Sequence, residues 1–92
     1  MNFEIIFRIE AEKDLADIQK YYDEITDTLT RKFFEEFFYT LNFIEQQPEI
    51  FQERYRGIRI APFYRFPYGI HYSIKGAKVI VYRVLHTKRY FK

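Results

Sequence analysis

Ninety-two residues with no cysteine and a net charge of +2 make one domain with a single core, and they exclude disulfides, thiol catalysis and zinc–thiolate sites. A chain this short buries only about 60–65% of its unfolded surface, so its eleven Phe and nine Tyr are the main supply of core. No apolar stretch approaches the ~20 residues of a membrane span, the opening "MNFEIIFRIE" carries no signal-peptide pattern, and the chain reads as a soluble cytoplasmic protein.

Residues 2–9 place Phe3, Ile5, Phe7 and Ile9 at period two, which predicts a strand with one buried face. From Ala11 the period lengthens. Ala11, Leu15, Ile18, Tyr22 and Ile25 recur at three to four residues, with Glu12, Lys13, Asp17 and Lys20 between them, the mark of an amphipathic helix. "TDT" at 26–28 suits a turn, with Asp27 or Thr28 as the cap of a second helix. That helix carries Leu29, Phe33, Phe34, Phe37, Phe38, Leu41 and Ile44, and ends before Pro48. The short link predicts an antiparallel helix hairpin. Three antiparallel strands follow. Residues 54–61 set Ile58 and Ile60 on one face and Arg59 on the other; residues 65–74 put Phe66, Tyr68, Ile70, Tyr72 and Ile74 on one face; residues 79–86 form the most apolar run, suited to an interior strand, after a tight turn at Gly76. Residues 1–92 are therefore expected to form one α+β domain, its helices packed on one face of a mostly antiparallel sheet.

Charge divides the chain. Residues 1–53 hold all thirteen acidic residues against five basic ones, a balance of −8, whereas residues 54–92 hold ten Lys and Arg and no acid, a balance of +10. Such asymmetry suits a face made for a charged partner, or two halves that pair their charges across the fold. With the helices acidic, the sheet's other face and its C-terminal edge are expected to carry the positive charge.

In this order of elements, "AEKDLADIQKYY", "QQPEIFQ", "RFPYGIHY" and "VYRVLHTKR" resemble the RelE/ParE superfamily of toxins from bacterial type II toxin–antitoxin modules, over nearly the whole chain. The resemblance implies a cytoplasmic toxin that arrests growth when free of its cognate antitoxin. It implies no cofactor, metal, membrane or small-molecule ligand. RelE-like members cleave messenger RNA on the ribosome; ParE-like members share the fold, lack that chemistry and act on DNA gyrase. "RFPYGIHY" and "RVLH..R" look closer to the ParE-like side. The favoured reading is a ParE-like toxin without nuclease chemistry. The alternatives are a RelE-like endoribonuclease and a non-toxic binding module on the same fold.

RNA cleavage through the 2′-hydroxyl needs a base, an acid and cationic help for the phosphorane. The candidates are His86, Arg83, Arg65 and Tyr90. His86 suits acid–base work, or ends a strand bonded to backbone. Arg65 and Arg83 suit a phosphate, or pair with helix carboxylates. Tyr90 suits proton donation or stacking, or packs on the sheet. His71 faces away from the Phe66–Tyr72 stripe and is expected to be solvated. Arg56, Arg59, Lys88 and Arg89 are the candidate contacts for antitoxin, target or phosphate, with Arg59, Lys88 and Arg89 expected to be exposed. Arg89 matches the family's C-terminal basic position. No Asp or Glu follows residue 53, so a sheet-borne carboxylate base is unavailable, a departure from toxins that use a Glu–His pair.

Overall fold

The computed structural model describes residues 2–89, Arg89 in its backbone only, so Tyr90 lies outside the described residues. A strand β1 (Glu4–Phe7) leads into helices α1 (Ile9–Asp23) and α2 (Asp27–Gln46). After a 3₁₀ turn at Pro48–Ile50 come β2 (Glu53–Tyr55), β3 (Ile58–Pro62), β4 (Tyr68–Lys75) and β5 (Lys78–His86), and a 3₁₀ turn at Thr87–Arg89. The strands form one five-stranded sheet in the order β1-β5-β4-β3-β2. β1 runs parallel to β5, and every other pair is antiparallel. The fold is α+β, as expected, with β5 an interior strand.

The chain leaves β1 early. Arg8 N–H still donates to Val81 O, but Arg8 O already accepts from Ala11 and Glu12. Ile9 therefore opens α1 and is exposed, where period two had assigned it to a strand. Glu10 and Glu12 occupy the first turn, where the helix dipole favours negative charge. At the hairpin, Thr26 is the cap of α2, its side chain accepting from Leu29 N–H at 3.1 Å; it displaces Asp27 and Thr28 from that role. Thr30 then donates to Asp23 at 2.6 Å and ties the end of α1 to the start of α2. Ile25 falls in the link and is exposed, not part of the apolar stripe.

The stretch expected as one strand over 54–61 is a hairpin, so four strands follow the helices, not three. Arg56 and Gly57 both take positive φ, 47° and 76°, the requirement of a two-residue turn whose twist matches its flanking strands. Tyr55 and Ile58 pair directly across it.

The core lies between the helices and one face of the sheet. Ala11, Ile18 and Tyr22 of α1 and Phe33, Phe37 and Ile44 of α2 pack against Ile70, Tyr72, Val79, Val81 and Val84. Phe33 is its hub, with ring centroids 5.4–5.8 Å from Tyr22, Phe63, Phe66 and Tyr68. The contacts with Phe63, Phe66 and Tyr68 are edge-to-face, and such packing adds to the burial of the rings themselves.

Candidate functional site

Simple alternation along β5 would put Arg83 beside Val79 and Val81 in the core. A bulge prevents this. β4 pairs His71 with Arg83 and Tyr72 with Val81, leaving Tyr82 as the extra residue. One inserted residue exchanges the faces beyond it. Val84 thus reaches the core and Arg83 comes to lie opposite His71, on the face turned away from the helices. Ile58, Ile60, Ser73, Ile80 and Leu85 share that face by register. Ser73 and Tyr82 are joined there by a 2.9 Å hydroxyl–hydroxyl hydrogen bond.

This open face is mainly apolar and aromatic, not the basic surface that the charge division suggested. Besides Arg83, its cations stand at the margin: Lys75 and Lys78 pair on this side next to the β4–β5 turn, while Arg56 lies in the β2–β3 turn and Arg65 in the β3–β4 loop. Arg59 points to the helix side, where its guanidinium donates to Phe51 O at 2.7 Å and Glu49 O at 3.4 Å. It is half-buried, and it anchors the segment leaving α2 instead of standing exposed.

Two linked pairs occupy the middle of the face. His71 is 1% exposed, against the expected solvated position, because the β2–β3 hairpin lays Tyr55 over it. The Tyr55 hydroxyl and His71 Nδ1 share a 2.8 Å hydrogen bond. Burial first, and then the neighbouring Arg83 charge, lower the His71 pKa to about 4, with Asp14 partly opposing them. The imidazole is neutral at pH 7. Burial also raises the Tyr55 pKa, against the attraction of Arg83 and Arg56.

Arg83 meets Asp14 of α1 in a two-pronged pair, Nε to Oδ2 at 2.8 Å and a terminal guanidinium nitrogen to Oδ1 at 2.9 Å. Asp14 Oδ2 also accepts from Val84 N–H at 2.9 Å. That amide belongs to the stretch of β5 past the end of β1, whose last pairing is Phe7 with Val81. One carboxylate thus caps a vacated sheet edge and holds the arginine. The hydrogen bonds that Arg83 donates to Asp14 raise the Arg83 pKa, and burial works against them.

His86 lies on the other face, paired with Tyr68. Its ring meets Tyr68 edge-on at 5.2 Å, and its Nδ1 accepts from Lys88 N–H at 3.2 Å. An accepting Nδ1 leaves the proton of the neutral ring on Nε2. The ring borders a depression of ≈260 Å³ shared with Asp14, Asp17, Ile18, Tyr21, Tyr68 and Val84. Lys88 is exposed. The structure therefore sets Arg83 and His86 on opposite faces and Arg65 on a loop. It gathers instead Tyr55, His71, Arg83 and Asp14. Tyr55 and Asp14 were not singled out from the sequence. "YRGI" at 55–58, a glycine turn between apolar residues, was the available signal for Tyr55. Nothing local marks Asp14, whose partner lies 69 residues away.

Among the described residues no three His, Cys, Asp or Glu are grouped to hold a metal ion, and no helix is long and apolar enough to cross a membrane.

A helix hairpin laid across one face of a mixed sheet whose first strand runs parallel to its last is also the fold of a chain from the "Chromosomal ParDE TA system from P. aeruginosa". The two chains superpose with a TM-score of 0.78 at 17% identity, over 91% of this chain and 95% of that one. No curated protein sequence matches. The family model described as "ParE toxin of type II toxin-antitoxin system, parDE" matches residues 5–91. The chain belongs to this ParE toxin family.

Proposed function

We propose that this toxin acts in the cytoplasm on DNA gyrase, without nuclease chemistry, and that its antitoxin restrains it by covering the open face of the sheet. The observation that carries the first part is the engagement of Arg83. Its guanidinium is neutralised by Asp14 on both prongs, and the imidazole beside it is buried and neutral. A phosphorane needs uncompensated positive charge, and an acid–base pair needs groups that exchange protons near neutrality. His86, the remaining imidazole, stands on the opposite face. For the antitoxin, Ile58, Ile80, Tyr82 and Leu85 offer half-buried apolar surface, and Arg56, Lys75 and Lys78 at the β2–β3 and β4–β5 turns, which share one end of the sheet, suit an acidic segment laid along it.

The test is plasmid supercoiling by purified gyrase with increasing toxin, beside a map of RNA 5′ ends after induction in a host lacking the antitoxin. Inhibited supercoiling without new 5′ ends is the expected result. New ends inside coding regions that vanish in His86→Ala would replace this reading with an endoribonuclease.

A further inference from the structure

The loop between β3 and β4 carries an almost fully exposed tyrosine and is also firmly held. Phe63 and Phe66 turn inward to Phe33. Between them Tyr64 is 95% exposed and Arg65 is exposed. Glu36 of α2 accepts the backbone N–H of Tyr64 and, through both carboxylate oxygens, that of Arg65 at 3.0 and 3.2 Å. A loop normally moves; this one is fastened to a helix at its tip. The backbone of Tyr64 and Arg65 is thereby fixed before any partner arrives, which removes the backbone share of the entropic cost of binding through them.

Beside the tip, Lys32, Glu35, Glu36, Tyr39, Tyr64 and Arg65 line an open depression of ≈560 Å³. Tyr39 is 66% exposed, and its ring is braced edge-on by Phe43 at 5.1 Å. The carboxylates here are already engaged: Glu36 by the two amides, Glu35 by Arg31 at 3.6 Å. Among the described residues, Lys32 and Arg65 make no ion pair. The site therefore presents two exposed tyrosine rings flanked by two available cations.

We infer that the β3–β4 tip and the adjoining face of α2 form the docking site for a folded protein target. The target supplies an apolar side chain between Tyr39 and Tyr64, and carboxylates to Lys32 and Arg65. Tyrosine and arginine are the residue types that most often dominate protein interfaces. Nucleic acid fits less well, because the depression offers only Lys32 and Arg65 as cations, whereas a phosphate backbone is held by a longer run of positive charge. The inference rests on reading the chain as a toxin with a protein target, and it places the contact away from the open sheet face.

The experiment uses the full chain carrying Tyr64→Ala or Arg65→Glu, both of which keep the amides that Glu36 holds. Each variant is compared with wild type for melting temperature, antitoxin affinity, gyrase inhibition and growth arrest. The expected result is unchanged folding and antitoxin affinity, with about thirtyfold more toxin needed to inhibit supercoiling. Inhibition at the wild-type midpoint overturns the inference. So does an equal loss of antitoxin affinity, which would make the antitoxin the occupant. Should wild type leave gyrase untouched yet arrest growth, the gyrase reading fails alone. Tyr64→Ala that no longer arrests growth then supports another protein target, and Tyr64→Ala that still arrests growth overturns the site. Wild type that does not arrest growth overturns both readings.

Discussion

His71 has the most perturbed environment among the side chains of the open face, and its consequence is a pH dependence of known sign. In the unfolded chain an imidazole titrates near 6.5; in the folded protein burial lowers this to about 4. Above pH 6.5 both states are neutral and the group has no effect. Between 6.5 and 4 only the unfolded chain binds the proton, so stability falls as pH falls, by about 1.4 kcal/mol per unit. Over the whole window the loss is on the order of 3 kcal/mol. Carboxylates titrate in the same range, so the measurement is a difference: denaturant midpoints from pH 7.5 to 4.0 for wild type and for His71→Gln. The variant should show the shallower decline. Parallel profiles would mean that the imidazole is protonated within the fold. Arg56 carries a different cost. A residue with a Cβ at φ 47° is strained by about 1 kcal/mol relative to glycine or asparagine. Arg56→Asn should therefore raise stability by up to about 1 kcal/mol. If Arg56 is also a contact for the antitoxin, the same change will weaken that complex, and titration of the variant with antitoxin reads it directly.

At the scale of elements, the helix hairpin is held to the sheet mainly by rings. Phe33 touches rings from α1, from the β3–β4 loop and from β4, so its removal opens a cavity bounded by three separate segments that cannot all collapse inward. Phe33→Ala should cost about 3–5 kcal/mol, enough to unfold most of a domain with ordinary stability. Phe38→Ala, on an exposed position of the same helix, should cost far less. Thermal melts of the two variants separate core from surface on one helix. These elements were legible in the sequence because both periods are strong: α2 repeats its Phe residues along one face, and β4 alternates without interruption from Tyr68 to Ile74. What was not legible depends on contacts remote in sequence. The split of 54–61 rests on an arginine adopting a conformation that only its glycine neighbour advertised. The bulge at Tyr82 changes the face of every later residue in β5, yet "VIVYRVLH" is apolar enough on both faces to fit either register. His71 looked solvated because alternation shows which face a residue occupies, not what lies above it. Only the fold brings Tyr55 there. Arg83 was left between phosphate and carboxylate by its residue type alone, and the position of Asp14 on α1 decided the partner it meets.

For the whole molecule, the acidic and basic halves do not produce one acidic and one basic face. Arg83 is neutralised across the fold by Asp14, Arg59 is turned inward to backbone carbonyls, and Arg56, Lys75 and Lys78 stand at the end of the sheet formed by the β2–β3 and β4–β5 turns. The molecule therefore offers two surfaces of different chemistry. One is a mainly apolar sheet face with basic turns at one end; the other is a tip bearing Tyr64 and Arg65, its backbone held by Glu36. If antitoxin and target use separate surfaces, substitutions on each should be separable in function. Ile80→Glu places a like charge in the path of an acidic segment, on a half-buried position opposite Ser73. It should weaken antitoxin binding by a factor of about ten or more and leave growth arrest intact, giving a toxin that its antitoxin no longer controls. Tyr64→Ala should do the reverse: antitoxin binds normally, and the free protein no longer arrests growth. Co-expression of each variant with the antitoxin, scored by colony formation and by pull-down, reads both effects at once. Loss of both activities in either variant, with melting temperatures unchanged, would mean that the two partners share one surface and that neutralisation is direct occlusion of the target site.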